Sequence, residues 1–223
     1  MSNVKHFLDN PEIDTYIREK MHILINESDR GAVLLSMSQI DNELKKLLNK
    51  IASIDTINKK KKQIKHMTIS YKLNNAYTNN LIPKNLFKSI KKLNKIRNDV
   101  AHNIELFELE NHTSTLKEIF ELLGEGMSTH IHNFALNYML ESTIFTLLKI
   151  KEPSNQEEFA FKNHSEALAY LQLNPNRLKE IEKPLLKVKL TIGVLFISAL
   201  IIHHRKQFLK VIGDNKIVSD IKT

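Results

Sequence analysis

Residues 32–51 read AVLLSMSQIDNELKKLLNKI, and their spacing decides the fold class. Val33, Leu34, Met37, Ile40, Leu44, Leu47, Leu48 and Ile51 recur at intervals of three and four, a heptad-like apolar face. Asp41, Glu43, Lys45 and Lys46 are expected largely off that face. Ile13, Ile17, Met21 and Leu24 repeat the spacing upstream, and Asn26–Gly31 interrupts or decorates the run. Downstream, Asn58–Lys65 is a basic, apolar-poor link. Ile69, Leu73, Ala76 and Tyr77 predict a helix ending near Asn79 and Asn80. Pro83 suits the first turn of another, whose buried stripe is Leu86, Phe87, Ile90, Leu93, Ile96 and Val100. Only five Gly and five Pro occur in 223 residues, which favours long helices with short connections over a sandwich or barrel.

The remainder continues in helical spacing. A region from about Ser114 to Ile150 is predicted helical and divisible at Gly124 and Gly126. Pro153–Gln156 reads as a loop, followed by helices over Glu157–Leu171 and from Pro184 to about Lys210, then a polar tail. Residues 190–202, LTIGVLFISALII, carry no charge. A membrane span needs about 20 apolar residues, and Lys187 and Lys189 cut this run short, so a buried central helix is expected, with no membrane partner. The expectation is an all-α helical bundle: a core over 1–110, a helical extension over 111–212 packing on it and including the buried helix 184–210, and a polar tail over 213–223.

Thirty-three Lys and Arg against 25 Asp and Glu give a formal net charge of +8. A basic surface concentrates polyanions, so RNA is a natural partner; equally, lysine can simply solubilise helix faces. Lys59, Lys60, Lys61, Lys62 and Lys65 are the candidate phosphate contacts, or a solvated loop, with few aromatics nearby for base stacking. The absence of Cys excludes disulfides, thiolate zinc sites and Cys nucleophiles. His130 and His132 stand about 200° apart on a helix, so they cannot chelate one ion together there. His203 and His204 have no acidic partner in their run, and Gly124-Glu125-Gly126 lacks the Lys of a phosphate loop. No metal and no cofactor are expected. Met1–Asp9 lacks the apolar core of a signal peptide, from which a cytoplasmic location is expected.

Two segments carry a family resemblance. Glu27-Ser28-Asp29-Arg30-Gly31 leads into the long apolar helix, and a later helix ends in Ile96-Arg97-Asn98-Asp99-Val100-Ala101-His102. The pattern resembles the HEPN superfamily, and within it the mannitol-operon repressor (MltR-like) branch. Tyr71–Tyr77 followed by Leu81-Ile82, and the apolar helix over 185–202, add to the likeness, which covers residues 20–103 best and 104–180 least. The resemblance implies a HEPN-like helical bundle and a homodimer. In HEPN ribonucleases the His handles the ribose 2′-hydroxyl proton and the Arg stabilises the phosphate, without metal.

Elementary chemistry is compatible with those roles. An imidazole with a reference pKa near 6.5 serves as base or acid at neutral pH, and a guanidinium presents a planar fork to phosphate oxygens. Five helical positions place Arg97 and His102 roughly 140° apart around one helix, which holds them poorly on one phosphate, whereas two copies meeting at a twofold axis could bring one protomer's His beside the other's Arg. Asn98 is a candidate for orienting the pair, with Glu27, Asp29 and Arg30 as supporting residues. The bland alternative is a buried Arg–carboxylate network with His102 in the core or at a cap. The expected function is thus a metal-independent endoribonuclease of a toxin or antiviral defence system. The alternative is a non-catalytic MltR-like transcriptional regulator or adaptor acting through a protein partner, an antitoxin or regulator. A purely structural subunit docking through 104–180 is the third reading.

Overall fold

In a computed structural model the chain is described over residues 11–52, 64, 66–102, 107–151 and 159–220. Its regular elements are helices: α1 (Pro11–Ile25), α2 (Asp29–Ala52), α3 (Ile69–Thr78), α4 (Lys84–His102), α5 (Thr113–Glu121), α6 (Met127–Leu147), α7 (His164–Leu173), α8 (Pro175–Glu182) and α9 (Leu185–Asp220). A short 3-10 turn spans Leu109–His112, and an isolated antiparallel bridge joins Lys151 and Phe159. The protein is an all-α helical bundle with a long C-terminal helix.

The breaks between helices follow from local chemistry. Asn26–Ser28 interrupts the first apolar run: Ser28 Oγ accepts from the Gly31 N–H at 3.0 Å, capping the start of α2. At the end of α3, Asn80 takes the left-handed conformation (φ 56°), while the Leu81 N–H bonds back to the Ala76 carbonyl at 2.9 Å. Asn is one of the few side chains that tolerates this backbone, and buried Leu81 and Ala76 close the turn. Gly126 (φ 72°) starts α6 and divides the predicted 114–150 region.

Two boundaries differ from the sequence expectation. The helix predicted over Glu157–Leu171 begins at His164, because Asn163 accepts from the Glu166 N–H at 3.0 Å while the Glu166 carboxylate accepts from the Lys162 N–H at 2.8 Å. The last helix does not end near Lys210 but runs on to Asp220, through most of the expected polar tail. Pro175–Glu182 forms an additional helix with Pro at its first position.

The core forms around α9, whose most extensive packing is on α2, with α1 and α6 alongside. Val188, Leu190, Ile192, Val194, Leu195, Ile197, Ile201 and Ile202 are all buried, on every side of the helix. A helix apolar all round belongs inside. By length and composition Leu185–Lys210 could also cross a membrane; in this fold 67% of its apolar window is buried within the protein. The two central helices run in the same direction: Lys187 Nζ donates to the Glu27 carbonyl at 2.8 Å near their starts, and Arg205 donates to Glu43 at 2.9 Å further along. Gly193 lies against the ring of buried Phe120, whose Cδ1 and Cζ stand 2.8 Å from where a Cβ would be. α4 completes the bundle by packing on α2, α3 and α5, burying Leu86, Ser89, Ile90, Leu93, Ile96 and Val100.

Candidate functional site

The buried stripe of α4 fixes which residues of its last turns face water. Ile96 and Val100 point into the core, so Arg97, Asn98, Asp99, Ala101 and His102 are exposed. The helix persists through His102, and the angular separation of roughly 140° between Arg97 and His102 therefore applies. Arg97 Nη1 donates to Asn98 Oδ1 at 3.1 Å, so the Asn carbonyl restrains an otherwise exposed side chain. Arg97 and His102 do not share a hydrogen bond, and among the described residues no carboxylate pairs with Arg97. The buried-network alternative does not hold for these two side chains, which lie at the surface.

Glu27, Asp29 and Arg30 sit elsewhere in role. Gly31 lacks a side chain where Glu27 Oε2 approaches, 2.7 Å from the position a Cβ would take, so the Glu27 carboxylate lies over the first turn of α2. Asp29 is in that same turn, where a negative charge complements the helix dipole. Arg30 is half-buried beside them. Among the described residues neither carboxylate forms an ion pair with Arg97. Lys59, Lys60, Lys61, Lys62 and Lys65 lie outside the described residues, as do 103–106 just beyond His102.

One expectation is corrected. Glu43, read as off the apolar face of α2, is buried at 1% exposure. Its two oxygens are taken by Arg205 at 2.9 Å and Lys46 at 2.6 Å, which is what permits a carboxylate there. Nearby, buried Lys72 of α3 donates to both oxygens of Asp41 at 2.8 and 2.7 Å, tying α3 to α2. Asp41, Glu43 and Lys46 border a cleft of about 550 Å³ between α1 and α2, lined also by Tyr16, Lys20, Gln39 and Lys45 among others. Burial raises the Tyr16 hydroxyl pKa, the nearby Ser198 hydroxyl opposes that rise, and the Glu43 charge adds to it. Sequence spacing missed this cluster: Glu43 takes a core-facing turn of α2, but its partner Arg205 lies 162 positions away.

His130 and His132 both lie on α6, two positions apart. Among the described residues no three His, Asp or Glu side chains gather as a metal site. No protein-family model, curated protein or solved structure matches the chain.

Proposed function

We propose that this chain is a HEPN-like, RNA-directed protein acting as a metal-independent endoribonuclease, cytoplasmic and dimeric, with Arg97, Asn98 and His102 at its site. The observation that carries the reading is the exposure of all three side chains at the end of one buried-stripe helix, with no carboxylate of the described residues neutralising the guanidinium. In the proposed reaction the His102 imidazole removes the 2′-hydroxyl proton. The 2′-oxygen then bonds to phosphorus as the bond to the 5′-oxygen breaks, and the departing 5′-oxygen takes a proton from water, leaving a 2′,3′-cyclic phosphate and a 5′-hydroxyl. Arg97 from the second copy holds the non-bridging oxygens, where charge accumulates.

Incubation of the purified chain with total RNA in EDTA tests this. Wild type is expected to cut RNA, and His102→Ala to lose at least ~100-fold in rate. Intact RNA with wild type, or equal cutting by the variant, removes the enzyme reading.

A second reading, the non-catalytic MltR-like adaptor, is favoured by a different observation. Phe134, Phe145, Phe159 and Leu173 are 48–81% exposed on and around α6 and α7, as a protein-docking surface would be. RNA that stays intact in the cleavage assay would leave this reading in place.

A further inference from the structure

The solvent face of α4 carries a charge pattern that the proposed chemistry does not use. Lys84, Lys88, Lys91, Lys95, Asn98 and His102 follow one another at intervals of four and three, which places them on one stripe of the helix. All six are exposed, and the stripe ends at the candidate site. Spanning 18 helical steps from Lys84 to His102, it is about 27 Å long. Among the described residues none of the four lysines has an acidic partner, whereas Lys92, one position off the stripe, is paired with Glu118 at 2.6 Å.

A merely solvated helix face does not look like this. Soluble helices intersperse Glu with Lys because opposite charges four positions apart stabilise and like charges destabilise by a few tenths of a kcal/mol per pair. α4 has five Lys, one Arg, a single Asp and no Glu, so its lysines repel along the stripe. Its first turn has no acidic residue and begins with Lys84, against the helix dipole. α2, by contrast, mixes acids and bases and opens on Asp29. A polyanion lying on the stripe would relieve both the mutual repulsion and the unfavourable dipole. The stripe has no exposed aromatic side chain on which a base could stack; Phe87 is half-buried and stacked on Tyr77 with ring centroids 4.5 Å apart.

We infer that the Lys84–Lys88–Lys91–Lys95 stripe is a track for the sugar–phosphate backbone of RNA, delivering a strand lengthwise to Arg97 and His102. It reads charge and not sequence. The inference deepens the nuclease reading and rests on it for what happens at the end of the track.

The test is binding of a labelled single-stranded RNA oligomer to the full chain carrying His102→Ala, followed by anisotropy across ~50 to ~200 mM KCl. Each phosphate neutralised on a single strand contributes about 0.7 to the slope of log K against log salt, so four lysines account for about 3. The combined variant Lys84→Gln, Lys88→Gln, Lys91→Gln, Lys95→Gln is expected to lose about that much slope and at least ~10-fold in affinity. Either pair alone should give about half the loss, which keeps the test open should the fourfold variant fold poorly. A control removing two exposed lysines elsewhere, Lys149→Gln with Lys151→Gln, should leave the slope in place. Equal weakening by the control, or unchanged binding in the stripe variants, overturns the track. A DNA oligomer bound at least ~10-fold tighter than RNA overturns RNA as its occupant. Wild type that binds along the track yet leaves RNA intact keeps this inference and removes the nuclease reading. Wild type that cuts RNA while the stripe variants bind unchanged does the reverse.

Discussion

Gly193 is where a single methyl group has the least room. Alanine normally favours a helix interior over glycine by about 1 kcal/mol. Here its Cβ would overlap the ring of Phe120, itself only 1% exposed and unable to swing into water. Overpacking of this kind costs about 1–3 kcal/mol, and the overlap puts it at the upper end. Gly193→Ala is therefore expected to destabilise by about 2 kcal/mol in a chemical melt, and Phe120→Leu in that background to recover part of the loss. A more stable Gly193→Ala protein would contradict the close α5–α9 approach. Further along α9, burial lowers the His204 pKa, with the neighbouring His203 acting in the same direction. Below a pH of about 6.5 the unfolded chain takes up a proton at this position. The folded chain does so only at lower pH, so this histidine's contribution to stability falls as the pH drops through that range. His204→Gln should flatten the decline in melting temperature between about pH 8 and about pH 5.5 relative to wild type. Parallel curves for the two proteins would show that His204 titrates in the folded state as it does in the unfolded one.

At the scale of elements, the central pair α2 and α9 is held by apolar packing plus one buried charge cluster. Removing one partner of a buried ion pair costs about 3–5 kcal/mol, because the other charge loses its compensation. Glu43→Ala is accordingly expected to cost about 3 kcal/mol, since Lys46 is half exposed and can turn to water. Replacing Glu43 by Leu and Arg205 by Met together should cost less than Glu43→Ala alone. A cost under about 1 kcal/mol for Glu43→Ala would mean the cluster is not closed in solution. This cluster also marks where sequence reading stops. The helices α1, α2, α3 and α4 were legible because their apolar residues repeat at helical spacing and their ends are punctuated by Ser28, Asn79–Asn80 and Pro83. The start of α7 differs from the expected Glu157 because the capping-box pair Asn163 and Glu166, not the upstream sequence, sets where the helix begins. The burial of Glu43 was not legible, because a carboxylate's burial depends on a cation that only the tertiary fold supplies. The end of α4 was legible as a motif, and its exposure followed from the stripe. The lysines of α4 are equally readable from their spacing, although the Lys59–Lys62 run is the denser one.

The whole molecule has one dominant core rather than one per segment. Met21, Val33, Ile40, Leu44, Leu93, Leu116, Phe120, Ile131, Val194 and Ile201 belong to a single buried cluster that draws on both halves of the chain. A smaller cluster of Ile144, Ala167 and Leu171 lies beneath α6 and α7. Residues 1–110 without α9 would expose the side of α2 that α9 covers. Each fully buried Leu, Ile or Val returned to water forfeits about 1.5–3 kcal/mol, so a handful of them forfeits an amount comparable with the ~5–15 kcal/mol by which a domain is stable. The full chain should therefore unfold in one transition, with far-UV circular dichroism and tyrosine fluorescence superimposing. The fragment 1–110 should give a broad melt with no cooperative midpoint. Adding the peptide 184–220 should restore the transition only in part, because α9 packs on α6 and on Phe120 as well as on α2, and the fragment lacks both. A fragment 1–110 that melts sharply by itself would show that α9 caps an independent unit, and the stability assigned to Gly193, Glu43 and Arg205 would then belong to docking between two units.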